Sequence, residues 1–286
     1  MIYLEEFYLP FDENLAYDGR NIYNSYYPLG IFPNIGITHI DFTNVTIFYG
    51  GNGVGKTTLL KIIADKLHAS RKNAEKQGPL FENYVDLCDY VMTNQRDLKE
   101  IKMLSSDDVF DELLNIRAIN SGVNRKKDDL TSEYLNAKYS TSKVRFDIND
   151  EDSYRRLANS VDSKRMTQSK YIRSRLANNN IKQNSNGESS MEFWEKEIQD
   201  HSLYLLDEPE NSLSPKNQVK LKKYIEESTR FYGCQFIIST HSPFILAVEE
   251  ARIYDLDHYG QITEWEDLDS IRTYYEFFSG NRDRFK

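Results

Sequence analysis

Residues 50–57 read GGNGVGKT, a complete G-x-x-x-x-G-K-[ST] pattern, and no other stretch of the chain restricts its fold as strongly. Such a turn cradles phosphates only where a strand feeds it and a helix leaves it, so that successive backbone N–H groups and the positive helix N-terminus converge on one point. Both flanks are present. Residues 45–49, VTIFY, form a β-branched and aromatic run, and Leu59, Leu60, Ile62, Ile63 and Leu67 recur at helical spacing. Gly50, Gly53 and Gly55 allow the backbone to turn, and the amides of Asn52 and Val54 lie among those that face the phosphates. Lys56 then reaches the β- and γ-phosphates, Thr57 offers its hydroxyl to Mg²⁺, and Thr58 is available for a phosphate oxygen.

The rest of the chain is consistent with an α/β domain built around that loop. At 286 residues, with 39% hydrophobic residues, 20 Tyr and 15 Phe, it has material for a sizeable core. Residues 1–286 are expected to be one domain carrying an inserted subdomain. No apolar run approaches the roughly 20 residues of a membrane span, so no membrane insertion is expected. No amino-terminal segment reads as a secretory signal, and Cys88 and Cys234 sit in apolar surroundings. The expected location is a reducing cytoplasm. A net charge of −9 argues against general coating of nucleic acid but leaves room for one local basic surface.

Along the chain, apolar segments such as residues 2–8 and 37–42 alternate with Pro, Gly and Asn, and predict a small N-terminal antiparallel sheet. A further strand is expected at 85–92. Residues 95–185 are polar and read as a helical insertion, in which Ser105 or Ser106 caps a helix whose buried stripe is Val109, Phe110, Leu113, Leu114 and Ile116. A helix at 191–199, a strand at 203–206, a helix from Pro215 to about Phe231 capped by Ser214, and a strand at 235–239 complete the order.

LYLLDE at 203–208 is an apolar strand ending in two acids, which places both carboxylates at the carboxyl edge of a parallel sheet. Asp207 is expected to hold Mg²⁺ through its water shell, and Glu208 to polarise the water that attacks the γ-phosphate. QFIIST at 235–240 delivers His241 to the same edge as a γ-phosphate sensor.

Together these residues resemble the ABC ATPase superfamily, in the soluble branch that includes SMC, recombination-repair and small stand-alone ATPases. The markers are GGNGVGKTT at 50–58, SNGES at 185–189, LYLLDEPENSLSP at 203–215 and IISTHSPF at 237–244. The resemblance implies ATP as ligand, Mg²⁺ as cofactor and an ATP-sandwiched homodimer. It also implies that Ser185, Gly187 and Glu188, just before the helix leading to the catalytic strand, contact the γ-phosphate across that dimer. A Ser/Asn/Gly-rich linker is the alternative for this stretch, whose leading leucine is missing. Gln95 is the residue carried over as the link from Mg²⁺ to the insertion. Ser214 stands where the family carries aspartate, with Asn211 and Ser212 as substitutes, and Tyr23, Tyr26 and Tyr27 are candidates to stack on adenine.

Between Lys164 and Lys182 there are six basic residues and no acid. They read either as a solvated helix face balanced by the acids of 147–152, or as a contact for nucleic-acid phosphates. By analogy with similar small ATPases of phage-defence and DNA-repair systems, the expected partner is a protein effector or a nucleic acid. The ATPase subunit of a membrane transporter and a slow-turnover scaffold or sensor are the alternatives.

Overall fold

The computed structural model describes residues 1–10, 28, 31–72, 77–139, 161–175, 186–211 and 213–285. In chain order the strands are β1 (Leu4–Tyr8), β2 (His39–Asp41), β3 (Val45–Tyr49), β4 (Asp89–Met92), β5 (Glu100–Ser105), β6 (Ser202–Asp207), β7 (Gln235–Ser239), β8 (Arg252–Asp255) and β9 (Gln261–Thr263). The longer helices are α1 (Lys56–Lys66), α2 (Pro79–Leu87), α3 (Ser106–Tyr139), α4 (Gln168–Arg175), α5 (Asn186–Glu197), α6 (Pro215–Phe231) and α7 (Asp269–Gly280). Two compact units divide the chain: Met1–Phe110 with Ser185–Lys286, and Asp111–Asn184.

The first unit is a mixed α/β structure with two sheets. Its core sheet has the order β5-β6-β7-β3-β8-β9, parallel except for β9, which runs antiparallel to β8. Every residue of β3 and β7 is buried, as befits unbroken apolar runs covered on both faces. Helix α1 buries Leu59, Leu60, Ile62 and Ile63 completely against this sheet, each contributing about 1.5–3 kcal/mol. The second sheet, in the order β2-β1-β4, is antiparallel, as the punctuated N-terminal segments predict. Gln235 joins the sheets: its carbonyl accepts from the amides of Tyr3 and Leu4, and its amide donates to the carbonyls of Leu4 and Thr43. A fully buried polar side chain is tolerated there because every hydrogen-bonding atom is used.

In the second unit the described residues outside connections are helical. Leu130, Tyr134 and Tyr171 form a small core, and the Tyr134 hydroxyl donates to the carbonyl of Met166. Arg175 pairs with Asp162 at 2.7 Å and lies over the Tyr171 ring. No helix among the described residues is long and apolar enough to cross a membrane.

Three sequence expectations change. Residues 100–105, read as the start of a helical insertion, are strand β5 and pair with β6 along their whole length. Lys102 hides that strand from a hydropathy reading; its ammonium is only 2.9 Å from Glu197, which also holds Lys72 at 2.8 Å. Residues 85–87 end helix α2 instead of opening a strand, because Phe81, Tyr84 and Val85 share one buried stripe at helical spacing. In α3, Val109 and Leu113 are buried but Phe110 and Leu114 are exposed, so the buried stripe is narrower than the pattern suggests; the side chain of Ile116 lies outside the described ones.

Candidate functional site

Strand β3 ends at Tyr49 and the glycine loop follows, turning into α1 at Lys56. Gly55 caps that helix with φ +113°, and a Cβ there would stand 2.6 Å from Ile31 Cγ2. Both the backbone and the space therefore require glycine. The buried Lys56 ammonium donates to the carbonyls of Gly50 and Gly51 at 2.8 and 2.9 Å, drawing the loop around it. Burial holds its pKa below the ordinary lysine value, while the charges of Glu208, Asp257 and Asp207 oppose that shift. Asn52 and Gly53 are exposed, and Thr58 is buried.

The parallel register sets Ser105, Asp207 and Ser239 side by side at the carboxyl edge of the core sheet. The Thr57 hydroxyl donates to Asp207 Oδ1 at 3.0 Å, and Ser239 Oγ donates to the same oxygen. These bonds bring the loop and the strand-end acid together across 150 positions of sequence. Burial raises the pKa of Asp207, and the Ser239 and Thr57 hydroxyls counter it by stabilising the carboxylate.

Glu208 takes φ +45°, a left-handed conformation uncommon for a side chain of this kind. Its amide is anchored by the Ser239 carbonyl at 2.9 Å, and its Oε2 accepts from Asn211 Nδ2 at 2.8 Å. The other oxygen, Oε1, lies 3.7 Å from His241 Nε2. Burial, with Lys56 as the second cause, pushes the His241 pKa below the ordinary histidine value and favours the neutral imidazole.

Two participants escaped the sequence reading. Glu210, buried, accepts from the amides of His241 and Ser242 at 2.7 and 3.1 Å, so it fastens the histidine loop to the loop of Asp207 and Glu208. Its signal was present as the third acid of DEPE, but a hydrogen bond to a loop 31 positions away cannot be read from spacing. Asp257 accepts from the Gly51 amide at 2.7 Å and lies 206 positions from it. Behind it the buried Asp255 holds His258 Nδ1 at 2.9 Å and raises the pKa of that exposed imidazole.

Gln95 is not brought to this edge. It lies in a turn between Thr93, whose amide donates to the Tyr3 carbonyl, and Lys99, whose amide donates to the carbonyl of His201 at the start of β6. That is the amino edge of the sheet, about 17 Å along β6 from Asp207. Ser105, Asp107 and Asp108 instead border a cleft of about 150 Å³ with Thr57, Lys61, Arg71 and Asp207. Helix α5 starts at Asn186, so Gly187 and Glu188 stand in its first turn and not in a loop before the helix. Ser185, Ser212, Tyr23, Tyr26 and Tyr27 lie outside the described residues, as do the side chains of Gly187 and Glu188.

The oxygen donors of Thr57 and Asp207 form a hard set that fits Mg²⁺, and the glycine loop with Lys56 fits a polyphosphate. A family comparison agrees with this chemistry. A family model described as ABC transporter matches residues 38–211. A second, an AAA domain named with the AbiEii toxin of a Type IV TA system, matches residues 197–247. No curated protein sequence matches the chain. Among solved structures, Stu0660 of Streptococcus thermophilus is similar at 12% identity and TM-score 0.41, over 91% of this chain and 76% of that one. The SMC head domain from Thermotoga maritima is similar at 13% identity and TM-score 0.38, over 89% and 94%.

Proposed function

We propose, for a chain that belongs to the ABC transporter family through its match over residues 38–211, that it binds ATP with Mg²⁺ and hydrolyses it as a stand-alone cytoplasmic ATPase that switches a partner effector or a nucleic-acid transaction. The observation that carries this reading is the 3.0 Å bond from Thr57 to Asp207, which joins the phosphate loop to the strand-end acids. Bound Mg²⁺ would neutralise phosphate charge, held by Thr57 and Asp207 and, in place of Gln95, by Asp107 at the edge of the same cleft.

Lys56 stabilises negative charge on the β- and γ-phosphates. Glu208 takes a proton from the attacking water, whose oxygen bonds to the γ-phosphorus as the bond to the ADP oxygen breaks, releasing ADP and inorganic phosphate. His241, neutral and facing Glu208, senses the γ-phosphate. Ser185, Gly187 and Glu188 contact that phosphate from a second copy, which makes ATP the adhesive of a homodimer. The match of residues 197–247 to an AAA domain named with a toxin of a Type IV TA system is what supports the defence reading.

Paired variants test the assignment. Lys56→Ala is expected to lose ATP affinity, whereas Glu208→Gln keeps affinity, loses turnover and shifts to dimer mass in light scattering with ATP. Equal loss of affinity in both variants would show that Glu208 is misassigned. A nucleotide-saturated Glu208→Gln protein of unchanged mass at every concentration would remove the sandwich.

A further inference from the structure

Away from the nucleotide cleft, the outer face of the three-stranded sheet gathers Glu6, His39 and Asp41, with ligand atoms all within 4.8 Å of one another. Among the described residues no other set of three or more His, Cys, Asp or Glu side chains converges in this way. The backbone places them. An irregularity in pairing between Leu4 and Glu6 resets the alternation of β1, so that Leu4 and Phe7 are buried while Glu6 and Tyr8 turn outward. On β2, Ile40 is buried and His39 and Asp41 point out. The register pairs Glu6 with Asp41 and Tyr8 with His39, giving a compact square of four side chains.

His39 Nε2 lies 3.6 Å from Glu6 Oε2 and 3.5 Å from Asp41 Oδ1. Both separations are too long for hydrogen bonds. These two separations match the edges of a tetrahedron, about 3.3–3.6 Å, whose centre holds an ion at about 2.0–2.2 Å from each ligand, and the third, between the two carboxylates, is within 4.8 Å. Tyr8 orients two of the ligands: its ring stacks on His39 at 4.7 Å between centroids, and its hydroxyl donates to Glu6 Oε2. Asp41 is held by the Tyr254 hydroxyl, which bonds both its amide and its carbonyl at 3.0 Å, and by Arg252 on the same carbonyl. Those bonds fix the Asp41 backbone, and a partner that orients ligand side chains, as Tyr8 does for His39 and Glu6, is usual at a metal site. Asp89, opposite Tyr8 on β4, adds negative charge nearby.

We propose that Glu6, His39 and Asp41 form a second cation site, for a divalent transition metal of the zinc class, with a fourth position open to solvent. One imidazole nitrogen and two carboxylate oxygens suit Zn²⁺, Co²⁺ or Ni²⁺ better than Mg²⁺, which prefers oxygen alone. Two carboxylates and a neutral imidazole supply the double negative charge that a dication cancels.

The test is calorimetric titration of chelator-stripped, nucleotide-free protein with Zn²⁺, together with the visible absorption of Co²⁺, which intensifies in a tetrahedral site. Wild type is expected to bind one equivalent more than His39→Ala or Asp41→Asn, with unchanged thermal unfolding of the stripped variants and unchanged ATP turnover. Tyr8→Phe, which keeps the ring and removes the donor to Glu6, is expected to weaken that equivalent about tenfold. Identical stoichiometry in wild type and His39→Ala would overturn the proposal. So would a wild type that binds no Zn²⁺, or a Co²⁺ spectrum that His39→Ala leaves unaltered.

Discussion

His241 Nε2 faces Glu208 Oε1 at 3.7 Å, and it is kept there by a third residue, Glu210, whose carboxylate accepts from the His241 amide at 2.7 Å. The distance between the His241 imidazole and the Glu208 carboxylate is therefore governed by a third, buried acid.

Glu210→Ala leaves the His241 amide without its acceptor, at about 1–3 kcal/mol, while the Ser242 amide keeps Thr240 Oγ1 at 3.0 Å. The turnover number is expected to fall at least about tenfold with a smaller change in KM, because binding rests on the glycine loop. Glu210→Gln retains an acceptor oxygen and should recover much of the rate. Steady-state kinetics beside thermal unfolding would check this, and equal turnover in Glu210→Ala and wild type would end the positioning role.

The two histidines at the carboxyl edge should titrate in opposite directions from the ordinary value of 6.5, His241 below it and His258 above it. The cause for His241 is burial, then Lys56; for His258 it is the Asp255 carboxylate. A depressed histidine pKa means that the unfolded chain binds the proton more readily, so the His241 contribution to stability is present above pH 6.5 and is lost as the pH falls. Imidazole chemical shifts followed through pH would show both midpoints, and Asp255→Asn should return only His258 toward its usual value.

Gly55→Ala and Gly53→Ala should separate steric from backbone cost. A Cβ at Gly55 meets Ile31 Cγ2 at 2.6 Å, whereas one at Gly53, φ +82°, meets nothing within 4 Å. Gly53→Ala should cost about 1–2 kcal/mol through its left-handed backbone alone. Gly55→Ala adds overpacking of about 1–3 kcal/mol and should lose most nucleotide affinity. A thermal unfolding series with and without ATP gives both numbers, and a milder Gly55→Ala would contradict the packing seen at Ile31.

Any nucleic-acid contact by the basic stretch is expected to depend on Lys164, Arg165 and Lys170 more than on Arg175, whose guanidinium is engaged by Asp162 and the Tyr171 ring. Replacing the first three with glutamine should reduce the slope of log affinity for duplex DNA against log salt by about 0.9 for each lost phosphate contact while ATP turnover persists. Absence of DNA binding at low salt, with ATP and the Glu208→Gln protein, would turn this face into a docking surface for an acidic protein.

What the sequence determined alone are the features carried by contiguous residues. The loop at 50–57, the strand ending in Asp207 and Glu208, and the strand delivering His241 are each local, since a phosphate cradle and a buried parallel strand leave their pattern within a dozen positions. Tertiary structure decided everything that depends on which strand edges meet. Gln95 looked suitable because it follows an apolar run, but the antiparallel pairing of β1 with β4 sends it to the amino edge, while β5, disguised by Lys102, brings Ser105 and Asp107 to the carboxyl edge. Glu210 reaches the His241 loop, Asp257 reaches Gly51, and Glu6 meets His39 and Asp41 only through the packing and register of elements far apart in the chain. Hydropathy records which face of a strand is buried; it carries no record of which strand lies beside it, and that neighbour decides which side chains share a site.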